Sequence, residues 1–274
     1  RMSVYQIKYM DAVPDSAVCN EAVKLAKRHK FAQLSGFVNG VLRNIARNID
    51  SVQFDTLSIR YSMPQWIVDR FVSAYGEKKA EEIFKAFHNK STISIRTNLT
   101  RCTPDELRAK LEAEGVTVTA VDELNYAFVI SGFDYLNGLQ SFRDGLFYVQ
   151  DISSMLVAQT AAPKKGDYVI DVCAAPGGKS THIAELLQGS GHVLARDLTD
   201  NKVDMIEENI ERHGLNNMSA EVWDATVPDA DSAGKADILI CDLPCSGLGV
   251  LGRKKDIRYK MTPESVDELA ALQR

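Results

Sequence analysis

The spacing of apolar residues changes along this chain, and each change predicts a different kind of element. In DSAVCNEAVKLAKRHK (residues 15–30), Ala17, Val18, Ala22, Val23, Leu25 and Ala26 recur on or near one helical face, and Asp15 and Ser16 stand where an N-cap belongs. LSGFVNGVLRNIARNI repeats the period with Phe37, Val38, Val41, Leu42, Ile45 and Ile49. MPQWIVDRFVSAYG predicts a third helix, opened near Pro64 and closed at Gly76, and EKKAEEIFKAFHN a fourth. STISIRTN then alternates as a strand does. TPDELRAKLEAEG returns to the helical period, with Thr103 as cap, Pro104 in the first turn and Gly115 as stop. VTVTAV and YAFVISG predict two further strands, so residues 91–133 make a β–α–β–β module.

From about residue 145 the pattern becomes a regular alternation. DISSMLVAQTAA, KSTHIAELLQ, TDNKVDMIEENIERHG and PESVDELAALQR have helical spacing, while DYVIDV, HVLARD, MSAEVWD and ADILICD are short apolar runs. Strands alternating with helices predict a parallel sheet covered by helices, an α/β Rossmann-like fold. In such sheets ligands lie outside the carboxyl ends of the strands, where strand order reverses. Four distinctive elements fall at four predicted strand ends: CAAPGGK (Cys173, Ala174, Ala175, Pro176, Gly177, Gly178, Lys179), Asp197, Asp224 and Asp242.

Gly177 and Gly178 let the backbone approach a ligand without a Cβ in the way, and the helix that follows aims its dipole at that ligand. Asp197 comes twenty residues after Gly177, a spacing suited to ribose hydroxyls. Asp224 is placed to accept from an adenine amino group. A dinucleotide site is the competing reading, but GxGxxG is absent and Pro176 stands where a pyrophosphate would want glycine. An adenosine cofactor without phosphates, S-adenosyl-L-methionine, fits better.

Composition narrows the class. The 274 residues, 45% hydrophobic and 25% charged, describe an ordinary globular protein. No apolar run approaches the length of a membrane span and the first residues lack a signal-peptide core, so a cytoplasmic protein is expected. The five cysteines are scattered without a CxxC pair, which predicts neither a disulfide framework nor a metal site. Residues 1–60 carry a net charge of +4 and residues 151–274 a net of −7, a distribution that suits contact with a polyanion on one face.

Cys245, in DLPCSG, follows a strand-end aspartate and a proline at the mouth of the predicted crevice. A free cysteine is commonly a small buried hydrophobe. A thiolate there has a chemical use as well: adding to carbon 6 of a pyrimidine, it makes carbon 5 nucleophilic toward a sulfonium methyl. Arg253, Lys254 and Lys255 either favour that thiolate and hold a phosphate backbone or form a solvated surface loop.

DVCAAPGGKSTHIAELL, Asp197, Asp224 and DLPCSGLGVLGRKKDIRYK together resemble the Sun (Fmu, RsmB-type) family of RNA cytosine-5 methyltransferases, in its bacterial small-subunit branch. VNGVLRNI resembles the end of that branch's NusB-like RNA-binding helical domain. YSMPQWIVDRFVSAYG and ISIRTN resemble the linker and small domain before the core, and GLFYVQDISSMLVAQ the helix that leads into it. The resemblance implies a NusB-like part over 1–60, linker helices and an RRM-like module over 61–144, and a methyltransferase core over 145–274. It implies S-adenosyl-L-methionine as cofactor, held by Cys173 through Lys179, Asp197, Asp224 and Asp242. Small-subunit ribosomal RNA is the implied partner, with Arg253, Lys254 and Lys255 on it, and a monomer is expected. It also reassigns Cys245: in this family the nucleophile is a cysteine of a Thr-Cys motif on a later strand, and the Pro-Cys cysteine assists product release. The chain has no Thr-Cys dipeptide and ends at Arg274 inside a predicted helix. It is therefore expected to be a fragment cut at both ends, able to bind cofactor and turning over poorly or not at all. Tyr259 stands where relatives often carry Trp. The alternative is a non-catalytic RNA-binding or ribosome-assembly protein that keeps the cofactor fold.

Overall fold

The computed structural model describes residues 1–89 and 92–274. The chain divides into two compact units, residues 1–84 and 85–274. The helices read as a linker after residue 60 thus belong largely with the front of the chain, while the small module and the parallel-sheet core form one body.

The first unit is helical: α1 (Met2–Tyr9), α2 (Asp15–Arg28), α3 (Ser35–Asn48), the single turn α4 (Leu57–Arg60), α5 (Gln65–Tyr75) and α6 (Glu77–Ala86). Val18 and Cys19 of α2 and Leu42 of α3 are buried, as their spacing requires. Pro14, rather than Asp15 or Ser16, holds the N-cap position of α2, without a side-chain capping bond. Asp15 sits inside the first turn instead, where the helix dipole favours a carboxylate. Pro64 and Gly76 bound α5 as predicted.

In the second unit a four-stranded antiparallel sheet has the order β2-β3-β1-β4, built from β1 (Ile93–Thr97), β2 (Thr117–Val121), β3 (Leu124–Ser131) and β4 (Phe147–Val149). Ser91, the expected start of the first strand, lies outside the described residues. Helix α7 (Pro104–Ala113) opens with the full capping box: Thr103 accepts from the Glu106 amide, and the Glu106 carboxylate accepts from the Thr103 amide. Leu107 and Leu111 of this helix pack on Ile95, Phe128, Ile130 and Phe147 of the sheet. Strand β4, which follows the turn α8 (Gln140–Arg143), corrects the sequence reading: Phe147–Val149 lie in GLFYVQDISSMLVAQ, expected as a helix, of which only Ile152–Ala161 is helical.

The core carries α9 (Ile152–Ala161), β5 (Tyr168–Asp171), α10 (Gly178–Leu186), β6 (His192–Asp197), α11 (Asp200–His213), β7 (Met218–Val222), β8 (Ile238–Ile240), the turn α12 (Ile257–Lys260) and α13 (Pro263–Leu272). Its strands are all parallel in the order β7-β6-β5-β8, with Asp171 opposite both Ala195 and Ile240. Val169, Ile183, Leu187, Val193, Ala195 and Ile206 form a closed apolar centre. Strand order reverses between β5 and β8, so the loops after those two strands frame the crevice where this fold class places ligands.

Candidate active site

The loop after β5 hangs from its neighbours through its own backbone. Val172 N–H donates to the Ile240 carbonyl at 3.1 Å, and Ala174 N–H to the Arg196 carbonyl at 2.8 Å. Ala175 N–H donates to Asp197 Oδ2 at 2.9 Å. Gly177 closes the turn in the left-handed region at φ +98°, a conformation only glycine adopts without strain, and caps α10. The peptide bond before Pro176 is cis.

Asp171 ends β5 inside the protein. Ser180 Oγ donates to its Oδ2 at 2.6 Å, and burial pushes its carboxyl up to about 6. Lys179 reaches across the crevice to pair with Asp242 on the loop after β8, and the lysine is well covered while the aspartate is open to water. These residues share a cleft of about 150 Å³ lined by Asp171, Cys173, Ala174, Ala175, Pro176, Gly178, Lys179 and Asp242, with Tyr148, Val149, Gln150, Asp151 and Ser154 as the opposite wall. The loop after β5, Lys179 and Asp242 thus come together as the strand ends predicted.

Gly177, Asp197, Asp224 and Cys245 are not among the residues that line this cleft. Gly177 faces α11, where a Cβ would lie 3.4 Å from Ile206 Cγ2. Gly178, which lines the cleft, also makes room for a side chain: a Cβ there would lie 3.1 Å from the Tyr148 ring. Asp197 is buried beneath the loop, its Oδ1 accepting from Leu198 N–H and Lys202 Nζ at 2.8 Å each. These bonds hold its carboxyl below the usual range against the opposing effect of burial. Asp224 is exposed, and its Oδ1 caps its own turn by accepting from the Thr226 amide and hydroxyl. Cys245 is exposed on the loop after β8, beside Pro244, whose carbonyl accepts from Gln273 Nε2 at 2.6 Å. Cys173 is half-buried, and burial pushes its thiol up.

Arg253 pairs with Asp151 at the start of α9. Arg253 and Lys255 line a larger groove, about 730 Å³, which shares Val149, Gln150 and Asp151 with the cleft. Lys254 is exposed beside them. Among the described residues no helix is long and apolar enough to cross a membrane, and no three His, Cys, Asp or Glu side chains gather as a metal site would require.

Known proteins resemble this chain in sequence and in fold. Residues 158–274 match the 16S rRNA methyltransferase RsmB/F family, residues 63–133 its ferredoxin-like domain, and residues 1–47 the NusB family. Residues 158–274 belong with the RsmB/F family by this match. The chain is 37% identical over 281 residues to the probable ribosomal RNA small subunit methyltransferase B of Bacillus subtilis, a match covering all of this chain and 62% of that relative. It is 32% identical to the ribosomal RNA small subunit methyltransferase B of Proteus mirabilis over 276 residues, again all of this chain and 64% of the relative. The chain thus spans a little under two thirds of these relatives' length. The crystal structure of NSun6 from Pyrococcus horikoshii with SFG shares the fold, with a TM-score of 0.68 over 77% of each chain at 22% identity.

Within the RsmB/F frame, the sequence reading missed the wall opposite the β5 loop. Tyr148, Gln150 and Asp151 come from β4 and the residues after it, a stretch too short for period-two alternation to register. Asp171 did carry a signal, a carboxylate closing an otherwise apolar run directly before CAAPGGK.

Proposed function

We propose that the whole protein methylates carbon 5 of a cytosine in small-subunit ribosomal RNA, with S-adenosylmethionine as donor, and that this chain holds the donor. The observation that carries the reading is the Lys179–Asp242 pair, beside buried Asp171, at the point where strand order reverses.

The cofactor of this family is S-adenosylmethionine, and the residues present fit it. Its amino-acid end is a zwitterion, which needs an anion and a cation set close together. Asp242 would take the ammonium and Lys179 the carboxylate, exchanging their mutual pair for pairs with the ligand. Asp197 Oδ2 accepts from Ala175 N–H, which leaves it a lone pair that a ribose hydroxyl would take once the carboxylate, buried in this structure, is uncovered. When bound, the cofactor supplies a methyl group on a sulfonium. The chain's own contribution is to fix that group at the crevice mouth, next to the groove lined by Arg253 and Lys255. There Arg253, Lys254 and Lys255 would meet the RNA backbone. Exposed Cys245 would assist release of the methylated product.

Calorimetric titration of this chain with S-adenosylmethionine tests the donor site. Saturable one-site binding is expected, weakened by about tenfold or more in Asp242→Asn, because the substitution leaves the ligand's ammonium without its anion. A well-folded sample that takes up no S-adenosylmethionine would overturn the reading. For the whole protein, 16S rRNA from cells lacking it should have lost one 5-methylcytosine by nucleoside mass spectrometry. An unchanged 5-methylcytosine content rejects the substrate assignment.

A further inference from the structure

We infer that Tyr148, on the last strand of the small module, is a positioning residue for the loop of residues 174–179, so that the module forms part of the donor site. The functional consequence rests on the donor reading above.

The argument begins with alternation along β4. Phe147 enters the module's own core and Tyr148 faces the other way, almost wholly buried. Its ring lies against Gly178, the first residue of α10. Its Oη donates to the Pro176 carbonyl at 3.0 Å, and Asn209 Nδ2 of α11 donates to the same oxygen at 2.9 Å. Asn209 Nδ2 also lies 3.3 Å from Oη, closing a triangle. The Pro176 carbonyl is therefore held by two donors from outside its own loop.

The ring is itself fixed. The guanidinium of Arg212 stands 5.8 Å and that of Arg96 5.7 Å from its centroid, and the His213 ring lies at 5.1 Å. Burial pushes the phenol up to about 12, so it remains a donor at any working pH. Arg96 in turn pairs with Glu185 and donates to Thr181 Oγ1 at 3.1 Å, both on α10. The module thus grips the loop through Tyr148 and the helix that follows it through Arg96. A loop already held in its binding shape loses less freedom when a ligand arrives, and that saving appears as affinity.

Two measurements on this chain test the brace, with Tyr148→Phe and Asn209→Ala made separately. Tyr148→Phe keeps the ring and removes only the donor. It is expected to weaken S-adenosylmethionine binding by about three- to tenfold while the thermal midpoint stays within about 2 °C of the parent. Amide hydrogen exchange at Gly177–Ser180 should speed up by about fivefold or more, with β5 and α11 unchanged, and Asn209→Ala should show the same local signature. Loop exchange identical to the parent overturns the inference. So does a uniform rise across the whole core with a lowered midpoint, which would make Tyr148 a packing residue only. Should the parent chain itself fail to bind S-adenosylmethionine, the donor reading falls, while the exchange data still decide whether the brace exists.

Discussion

Gly145 has no room for a methyl group. It sits at φ +64°, and a Cβ built on it would lie 1.9 Å from the Arg212 carbonyl oxygen. The approach is that close because the turn before β4 is tied down onto the end of α11. Asn98 Nδ2 donates to the Gly145 carbonyl at 2.9 Å and Arg101 Nε to the His213 carbonyl at 3.0 Å. Gly115, the stop of α7, has a similar left-handed backbone at φ +83° but nothing within 4 Å of its would-be Cβ. The pair separates two penalties. Gly115→Ala should destabilise by about 1–2 kcal/mol, from backbone strain alone. Gly145→Ala should destabilise by about 3 kcal/mol or more, because strain is joined by a clash with fixed backbone. Urea denaturation of both variants gives the comparison, and equal losses would mean that the turn before β4 moves off the end of α11 without cost. The same distinction explains what a sequence reads poorly. Gly177 and Gly178 stand out by type, yet the reason for Gly178 is the Tyr148 ring, thirty residues earlier in the chain.

At the level of elements, local signals were legible and long-range partners were not. Thr103 and Glu106 announce α7 three residues apart, and the structure realises both bonds. Strand β4 announces nothing, because its sheet partner β1 lies some fifty residues away. Helix α10 was legible as a helix, but not its interior: it buries Ser180, Thr181, His182 and Glu185 in succession. That burial sets a pH profile. His182 and His213 are held down to about 2 by desolvation, so they stay neutral in the fold. Each contributes stability that is lost as pH falls below the ordinary value of 6.5, where only the unfolded chain takes up the proton. Asp171 and Glu185 go the other way, pushed up by burial to about 6 and about 7. Their stability is complete below the ordinary carboxyl values and is lost as pH rises through 6 and 7. Across that window two protons held by the fold balance two held by the unfolded chain, so the opposing slopes cancel. Denaturation midpoints should stay level between about pH 8 and pH 5 and drop only below about 4.5, where unfolded carboxylates also protonate. A continuous decline starting at pH 6.5 would show that Asp171 and Glu185 remain ionised inside the protein.

For the second unit as a whole, one buried ion pair spans the joint between module and core. Arg96 comes from the module sheet and Glu185 from core helix α10, and both side chains are at most 4% exposed. The guanidinium is otherwise spent inside the joint, Nε on Gln150 Oε1 at 2.8 Å and one terminal nitrogen on Thr181 Oγ1. His213 lies 3.7 Å from Glu185 Oε1, but a histidine held neutral adds no charge to the pair. Removing one partner of such a pair leaves the other charge buried alone, typically a loss of about 3–5 kcal/mol, whereas replacing both with apolar side chains is often close to neutral. Arg96→Met should therefore lower stability by an amount at or below that range, since Glu185, already pushed up to about 7, can shed its charge by binding a proton. The relief has a signature: the loss in Arg96→Met should shrink as pH falls from 8 to 6. Adding Glu185→Leu should recover at least half of the loss at pH 8, with a single unfolding transition retained for residues 85–274. A double variant no better than Arg96→Met alone would show that Arg96 acts through Gln150 and Thr181 and not through its charge. Two separated transitions in the double variant would instead make the ion pair the feature that fuses the module to the core.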